Sequence, residues 1–243
     1  MTIHASGSCD QCSLKLLCLP VGLPENELWQ LDEIVQRRRP IAKGQLLFRM
    51  GAPFTSVYAV RTGSLKTVLL ADDGTEQVTG FTLAGEMLGL DAINRGRHPV
   101  SAVALESTSL CEIPFEKLDL LAGHLPSFRQ HLMRTMSREI ASDESLLALL
   151  GQRNAEQRLS AFLLSLSTRF RARGLMADHF ALSMSRADIA SHLGLTQETI
   201  SRLFTQFRKQ GLVEIHTRDL TLLDMDSLHR IAGIRFEPLS RIA

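Results

Sequence analysis

The chain has 243 residues, 44% of them hydrophobic and 22% charged, the balance of a folded protein with a sizeable core, which excludes intrinsic disorder and fibrous classes. No apolar run approaches the roughly 20 residues that span a bilayer, and MTIHASGSCDQ lacks the basic-then-apolar pattern of a secretion signal, so a cytoplasmic protein without membrane segments is expected. The net charge of +1 conceals a polarity: the first 150 residues carry 14 Lys and Arg against 17 Asp and Glu, whereas from Gly151 onward 13 stand against 9, so a nucleic-acid partner is sought in the C-terminal part.

Cys9, Cys12 and Cys18 fall in one short stretch, SCDQCSLKLLCLP, with the spacing C-x-x-C-x5-C, and Cys111 is the only other cysteine. In a reducing compartment such a set ligates a metal or senses redox state rather than forming structural disulfides. Three thiols leave a four-coordinate centre one ligand short. Cys111, which alone would read as a small buried hydrophobe, becomes the candidate fourth, for either a tetrahedral zinc or an iron–sulfur cluster. That closure would tie the N-terminus to the middle of the chain.

Leu28, Leu31, Ile34 and Val35 follow Pro24 at helical spacing, predicting a short amphipathic helix over Leu23 to Gln36 on which Trp29 packs. The Arg37 to Arg39 run leading into Pro40 reads as a solvated turn. Between Ile41 and Pro114 the texture becomes β-favouring runs divided by glycines, with Asp73-Gly74 a hairpin signal, which implies an antiparallel barrel or jelly roll. In the last run, alternation places Cys111 on the side of Ile113 and opposite Leu110 and Glu112.

The pattern turns helical from about Phe115. Over Ser127 to Gln152, Met133, Met136, Ile140, Asp143, Leu147 and Leu150 alternate at spacings of three and four, the rhythm of a coiled-coil seam, so this helix is expected to pair with its copy in a homodimer. Asp143 interrupts the seam, and two such carboxylates facing each other repel; the residue is expected to hold monomer and dimer near balance, unless Arg138 or water offsets its charge. A second amphipathic helix, Asn154 to Gly174, buries Leu159, Phe162, Leu163, Leu166 and Phe170. In SRADIASHLGLTQETISRLFTQFRKQG, Ser185 and Asp188 make a capping box, and Ala190, Gly194 and Ile200 meet the small-residue, turn and core requirements of a helix-turn-helix. Gln197, Glu198, Ser201 and Arg202 then cluster at the start of its second helix, residue types that read base edges in the major groove. LVEIHTRDLTLLD supplies two short strands of a wing.

These residues, with KGQLLFRMG, AVRTGSLKT, EQVTGFTLAGEMLGLDAI, ALESTSLCEIPFEKLD and LGLTQETISRLFTQFRKQGL, resemble the FNR-type oxygen-sensing transcription regulators of the CRP/FNR superfamily over nearly the whole chain. The resemblance implies an α+β protein: an N-terminal antiparallel β-barrel of the cyclic-nucleotide-binding jelly-roll kind, a long dimerisation helix and a C-terminal winged helix-turn-helix. The corresponding divisions are a cysteine-rich segment 1–22, a sensor domain 23–126, the dimerisation helix 127–152 and a DNA-binding domain 153–243. It implies that Cys9, Cys12, Cys18 and Cys111 bind a [4Fe-4S] cluster that oxygen degrades, that Leu17 shields the cluster and that Ser13 influences its reactivity. Ile140 and Asp143 fall on the dimer switch. Glu198, Ser201 and Arg202 fall on the residues that read inverted TTGAT half-sites, and RNA polymerase is an expected partner, with the Asp72 to Gly74 hairpin a candidate surface. Cyclic nucleotide is disfavoured, because Val100 precedes Ser101 where that cassette has a phosphate-gripping arginine. A zinc site, or a small-ligand sensor in the barrel, is the alternative within the same fold. An enzyme is not expected: the eight histidines supply neither the H-x-H nor the H-E-x-x-H pattern of a cupin-like or other metalloenzyme.

Overall fold

Pro24 opens a 3-10 turn, Glu25–Glu27, that leads into α1 (Leu28–Ile34) in the computed structural model, which describes residues 8–19 and 23–233. Residues 1–7 and 20–22 of the expected cysteine-rich segment, Pro20 included, and residues 234–243 of the expected DNA-binding domain lie outside the described residues. Leu28 and Leu31 turn inward, but Trp29 is 57% exposed, because one residue of helix rotates it off the buried stripe; the expectation that it packs is corrected. The chain forms two compact units, one ending at Ala141 and one beginning at Ser142.

In the first unit, eight strands follow among the described residues: β1 (Gln36–Arg37), β2 (Leu46–Phe48), β3 (Ser56–Thr62), β4 (Ser64–Leu70), β5 (Glu76–Leu83), β6 (Met87–Leu88), β7 (Ser101–Ala104) and β8 (Ser109–Pro114). They build two antiparallel sheets, ordered β1-β8-β3-β6 and β2-β7-β4-β5, the jelly roll that the glycine-punctuated runs predicted. The Asp73-Gly74 hairpin is present between β4 and β5; Gly74 takes φ +85° and the Asp73 carboxylate accepts from the Thr75 N–H at 2.8 Å. The Arg37 to Arg39 run is exposed, as expected, but begins in a strand rather than a turn: Arg37 lies in β1 opposite Cys111, and Arg38 is ion-paired with buried Glu112.

Alternation along β3 and β8 divides the core in two. Tyr58, Val60 and Leu110 point between the sheets with Phe48, Leu65, Leu88 and Ala102. Val57, Ala59, Cys111 and Ile113 face the other way, against α1, α2 (Phe115–His124) and the first turns of α3 (Pro126–Gln152), where Leu118, Leu121, Phe128 and Leu132 pack. Cys111 thus stands on the Ile113 side, as the alternation required.

His98 is 3% exposed, its ring stacked on Phe48 at 3.7 Å, and its Nδ1 has no partner among the described residues. Burial holds its pKa below the ordinary histidine value. A base with a depressed folded-state pKa contributes stability that is present above its unfolded pKa of ~6.5 and is lost as pH falls through the folded value. The urea midpoint reported by Trp29 fluorescence should therefore be lower at pH 5.5 than at pH 7.5, and His98→Phe should reduce that drop, leaving the part due to His131, whose pKa burial also lowers. An unchanged pH dependence in His98→Phe would remove His98 from the account.

The second unit contains the end of α3, then α4 (Ala155–Ala172), β9 (His179–Ala181), α5 (Arg186–Leu193), α6 (Gln197–Lys209), β10 (Val213–His216), β11 (Asp219–Leu222) and α7 (Met225–Ala232). Asn154 and Gln157 form a capping box at α4, which buries Leu159, Phe162, Leu163 and Leu166. The strands form one antiparallel sheet in the order β10-β11-β9, so the wing has a third strand that the sequence pattern did not announce. No described helix is long and apolar enough to cross a membrane.

Candidate functional site

Ser8 to Leu19 is wound into successive tight turns, with the Cys12 N–H on the Cys9 carbonyl at 3.3 Å, Lys15 on Cys12 at 3.0 Å and Cys18 on Leu14 at 3.0 Å. Leu19, 2% exposed, plugs the coil into the helix-side core. Gly85, at φ +85°, receives the coil's other side: a Cβ there would stand 3.2 Å from that of Leu17. The Cys9 N–H donates to Asp32 Oδ1 at 3.0 Å, and the same oxygen accepts from Arg37, which continues into β1.

All four cysteines are free thiols and half-buried, and Cys9, Cys18 and Cys111 border the same core cluster. Burial pushes Cys9 up to about 12, helped by the Asp32 carboxylate and by Cys111 and Cys18. Burial likewise pushes Cys18 up to about 12, against the Leu19 backbone and with Cys111 and Cys12. Cys111 is raised by burial while Arg37 and Arg61 pull the other way. Burial opposes the Asp32 charge too, but the Cys9 N–H and Arg37 outweigh it and hold that carboxyl below its usual range. Cys111 is thus within electrostatic reach of Cys9, Cys12 and Cys18. Among the described residues no three His, Cys, Asp or Glu side chains are close enough to enclose one metal ion. The donor set nevertheless suits a thiolate-bound cationic centre, since half-buried neighbouring thiols ionise together only around positive charge. Ser13 is exposed and Leu17 half-buried over Gly85.

Along α3 the seam positions Met133, Ile140 and Leu147, seven residues apart, are 58%, 60% and 70% exposed, while Met136 and Leu150 are half-buried. Asp143 shares this face, and partial burial raises its carboxyl above the ordinary value. Arg138 does not offset it: its guanidinium turns back to the Arg134 carbonyl and the Thr135 hydroxyl at 3.3 and 3.2 Å. Among the described residues Asp143 has no ion pair.

The helix-turn-helix forms where the sequence placed it. Ser185 and Asp188 cap α5 reciprocally at 3.1 and 2.9 Å, Gly194 ends it at φ +62°, and the Thr196 hydroxyl caps α6. Ile200, Leu203, Phe204 and Phe207 fix α6 from below, leaving Gln197, Glu198, Ser201 and Arg202 exposed. Arg202 and Glu198 are 3.8 Å apart in water, an exposed i,i+4 pair worth at most a few tenths of a kcal/mol, so the pair pins neither side chain.

Two arginines missed in the sequence complete this unit. Arg186 lies flat on the Phe204 ring at 3.4 Å, burial bringing it down to about 10, and so joins α5 to α6. Arg158 of α4 binds three backbone carbonyls at the helix ends. Arg186 had registered only as part of a capping box, and carbonyl acceptors leave no trace in side-chain pattern.

Residues 157–231 match the Crp-like helix-turn-helix domain and residues 38–123 the cyclic nucleotide-binding domain. The chain is 51% identical over 230 residues to the transcriptional activator protein Anr of Pseudomonas protegens, covering 95% of this chain and 94% of that one. It is 48% identical over 225 residues to the fumarate and nitrate reduction regulatory protein of Escherichia coli, covering 93% and 90%. Among solved structures, FixK2 from Bradyrhizobium japonicum superimposes with a TM-score of 0.76 at 29% identity, covering 84% of this chain and all of that one.

Proposed function

The chain belongs to the CRP/FNR family of DNA-binding transcription regulators, which are not enzymes, and from that premise we propose that it is an oxygen-responsive member acting in the cytoplasm, with Cys9, Cys12, Cys18 and Cys111 as ligands of a [4Fe-4S] cluster. The observation that carries this is that Cys9 and Cys18 of the N-terminal coil and Cys111 of β8 border one core cluster, with Cys12 a free thiol on the same coil. When bound, such a cluster supplies an oxygen-reactive centre and a covalent tie between the N-terminal coil and β8.

The protein's own residues do the rest. Asp32 fixes the Cys9 backbone and Arg37 together, so the strand bearing Arg37 and the thiol coil move as one. Leu17 covers the coil's Gly85 side as the shield, and exposed Ser13 tunes access. On α3, pairing of Met133, Ile140 and Leu147 with a second copy favours the dimer while the Asp143 pair opposes it. If those effects nearly cancel, a few kcal/mol of ligand-dependent packing shifts the population by orders of magnitude. The dimer then presents two α6 helices to an inverted repeat of TTGAT, about one DNA turn apart. The exposed Asp72 to Gly74 hairpin is offered to RNA polymerase. Val100 is buried and apolar beside Ser101, whose hydroxyl accepts from the Met50 N–H at 2.9 Å, so a cyclic phosphate would lack its cation there.

Protein purified without oxygen should contain iron and sulfide near four per chain, bind a TTGAT inverted repeat, and lose both after exposure to air. Zinc without iron, or binding indifferent to air, would sink the cluster reading and leave a zinc or small-ligand sensor of the same family. Glu198→Ala or Arg202→Ala should cost ~1–3 kcal/mol at the cognate base pair while sparing non-specific binding. A uniform loss on all DNA in a filter or anisotropy assay would reassign them to phosphate contacts.

A further inference from the structure

α3 and α5 end close to a single side chain of α4. The Arg158 guanidinium donates through Nη2 to the Leu150 carbonyl at 2.7 Å, through Nε to the Arg153 carbonyl at 2.9 Å and through Nη1 to the Leu193 carbonyl at 3.0 Å. Leu150 lies in the last turn of α3, Arg153 in its connection to α4, and Leu193 is the last residue of α5, immediately before Gly194. The Leu150 and Leu193 carbonyls, at helix C-termini, lack partners within their own helices and carry the negative end of the helix dipole. Among the described residues Arg158 has no carboxylate partner, and these carbonyls meet its charge. A Cβ built on Gly194 would stand 3.5 Å from Nη1 and 4.0 Å from Leu150 Cδ2, so the guanidinium and the seam residue Leu150 lie directly beneath the helix-turn-helix turn.

We propose that Arg158 is a positioning residue that couples pairing of the α3 seam to placement of the recognition helix. This rests on the dimeric DNA-binding reading above and extends it. Leu147 and Leu150 are the last seam positions, so pairing two copies of α3 fixes the Leu150 carbonyl. The rigid fork of Arg158 then fixes Leu193 and the turn, and with them the start of α6, where Glu198, Ser201 and Arg202 stand. A planar guanidinium spans three carbonyls on three segments, whereas an ammonium, a point charge on a flexible stem, does not hold that geometry.

The test uses anaerobically purified full-length protein with Arg158→Gln and Arg158→Lys. Binding is measured to a TTGAT inverted repeat and to the same duplex with one half-site scrambled, with dimer fraction by sedimentation. Both variants are expected to keep the wild-type dimer fraction and half-site affinity and to lose about tenfold or more on the repeat, because two heads no longer held to the seam forfeit their joint binding. Hydrogen exchange at the Gly194 and Leu195 amides is expected to slow on dimerisation in the wild type and not in the variants. If half-site and repeat affinities fall in parallel, Arg158 merely supports the fold of the head and the coupling is overturned; so it is if Arg158→Lys matches wild type. Should Arg158→Gln not fold, the lysine variant carries the measurement. A wild-type protein that binds repeat and half-site alike would overturn the underlying reading, and the coupling with it, in a measurement that involves no variant.

Discussion

Cys111→Ser protein, prepared without oxygen, is expected to retain no cluster and to bind inverted-repeat DNA at the non-specific level, a loss of roughly a thousandfold or more. Cys111 is the sequence-distant thiol, contributed by β8 to the side on which the N-terminal coil packs. Serine is nearly isosteric and the site is only half-buried, so thermal unfolding of the sheets should be little changed while iron and sulfide content collapse. Visible absorption, metal content and a binding isotherm on one preparation check this. Full DNA binding by Cys111→Ser would show that the thiols are structural, and Cys12→Ser provides an independent second instance.

The cysteines stood out because they are rare, and period-two alternation fixed the face of Cys111. The helix-turn-helix was equally legible, its demands at Ala190, Gly194 and Ile200 being local. What escaped the sequence were features made by distant backbone. Asp32 looks like any helical carboxylate until the coil brings the Cys9 N–H to it. The ion pairs of exposed Arg37 and Arg38 escaped because their partners, Asp32 and Glu112, lie on other elements or far along the chain. The three-residue β9 is too short to show alternation, and it is a strand only through pairing with β11. The jelly roll's division into two sheets follows from strand order, which periodicity does not encode.

Asp143→Ala should dimerise in air. Across a two-fold seam the paired carboxylates would stand several ångströms apart, and at an effective permittivity near 20 two unit charges at about 7 Å repel by ~2 kcal/mol. Their removal should strengthen self-association roughly thirtyfold and give DNA binding without the cluster. The raised carboxyl of Asp143 adds a pH dependence of stated sign. As pH falls through its value the charge is lost, so cluster-free wild-type protein should gain dimer on mild acidification, whereas Asp143→Ala should not respond. Sedimentation velocity at two pH values decides both points; equal dimer fractions for the two proteins in air would falsify the repulsion.

The hydroxyl of Ser201 donates its proton to the Gln197 carbonyl at 2.9 Å, inside its own helix. With that bond kept, the oxygen faces the groove only with lone pairs. Glu198 is also an acceptor, and Arg202 is solely a donor. On the proposed reading, Ser201 and Glu198 are two acceptors that seek the amino groups of adenine or cytosine and Arg202 is one fork that seeks the N7 and O6 of guanine, beside Gln197, whose amide both donates and accepts. On that reading a half-site is chosen by the order in which it offers hydrogens and lone pairs along the groove.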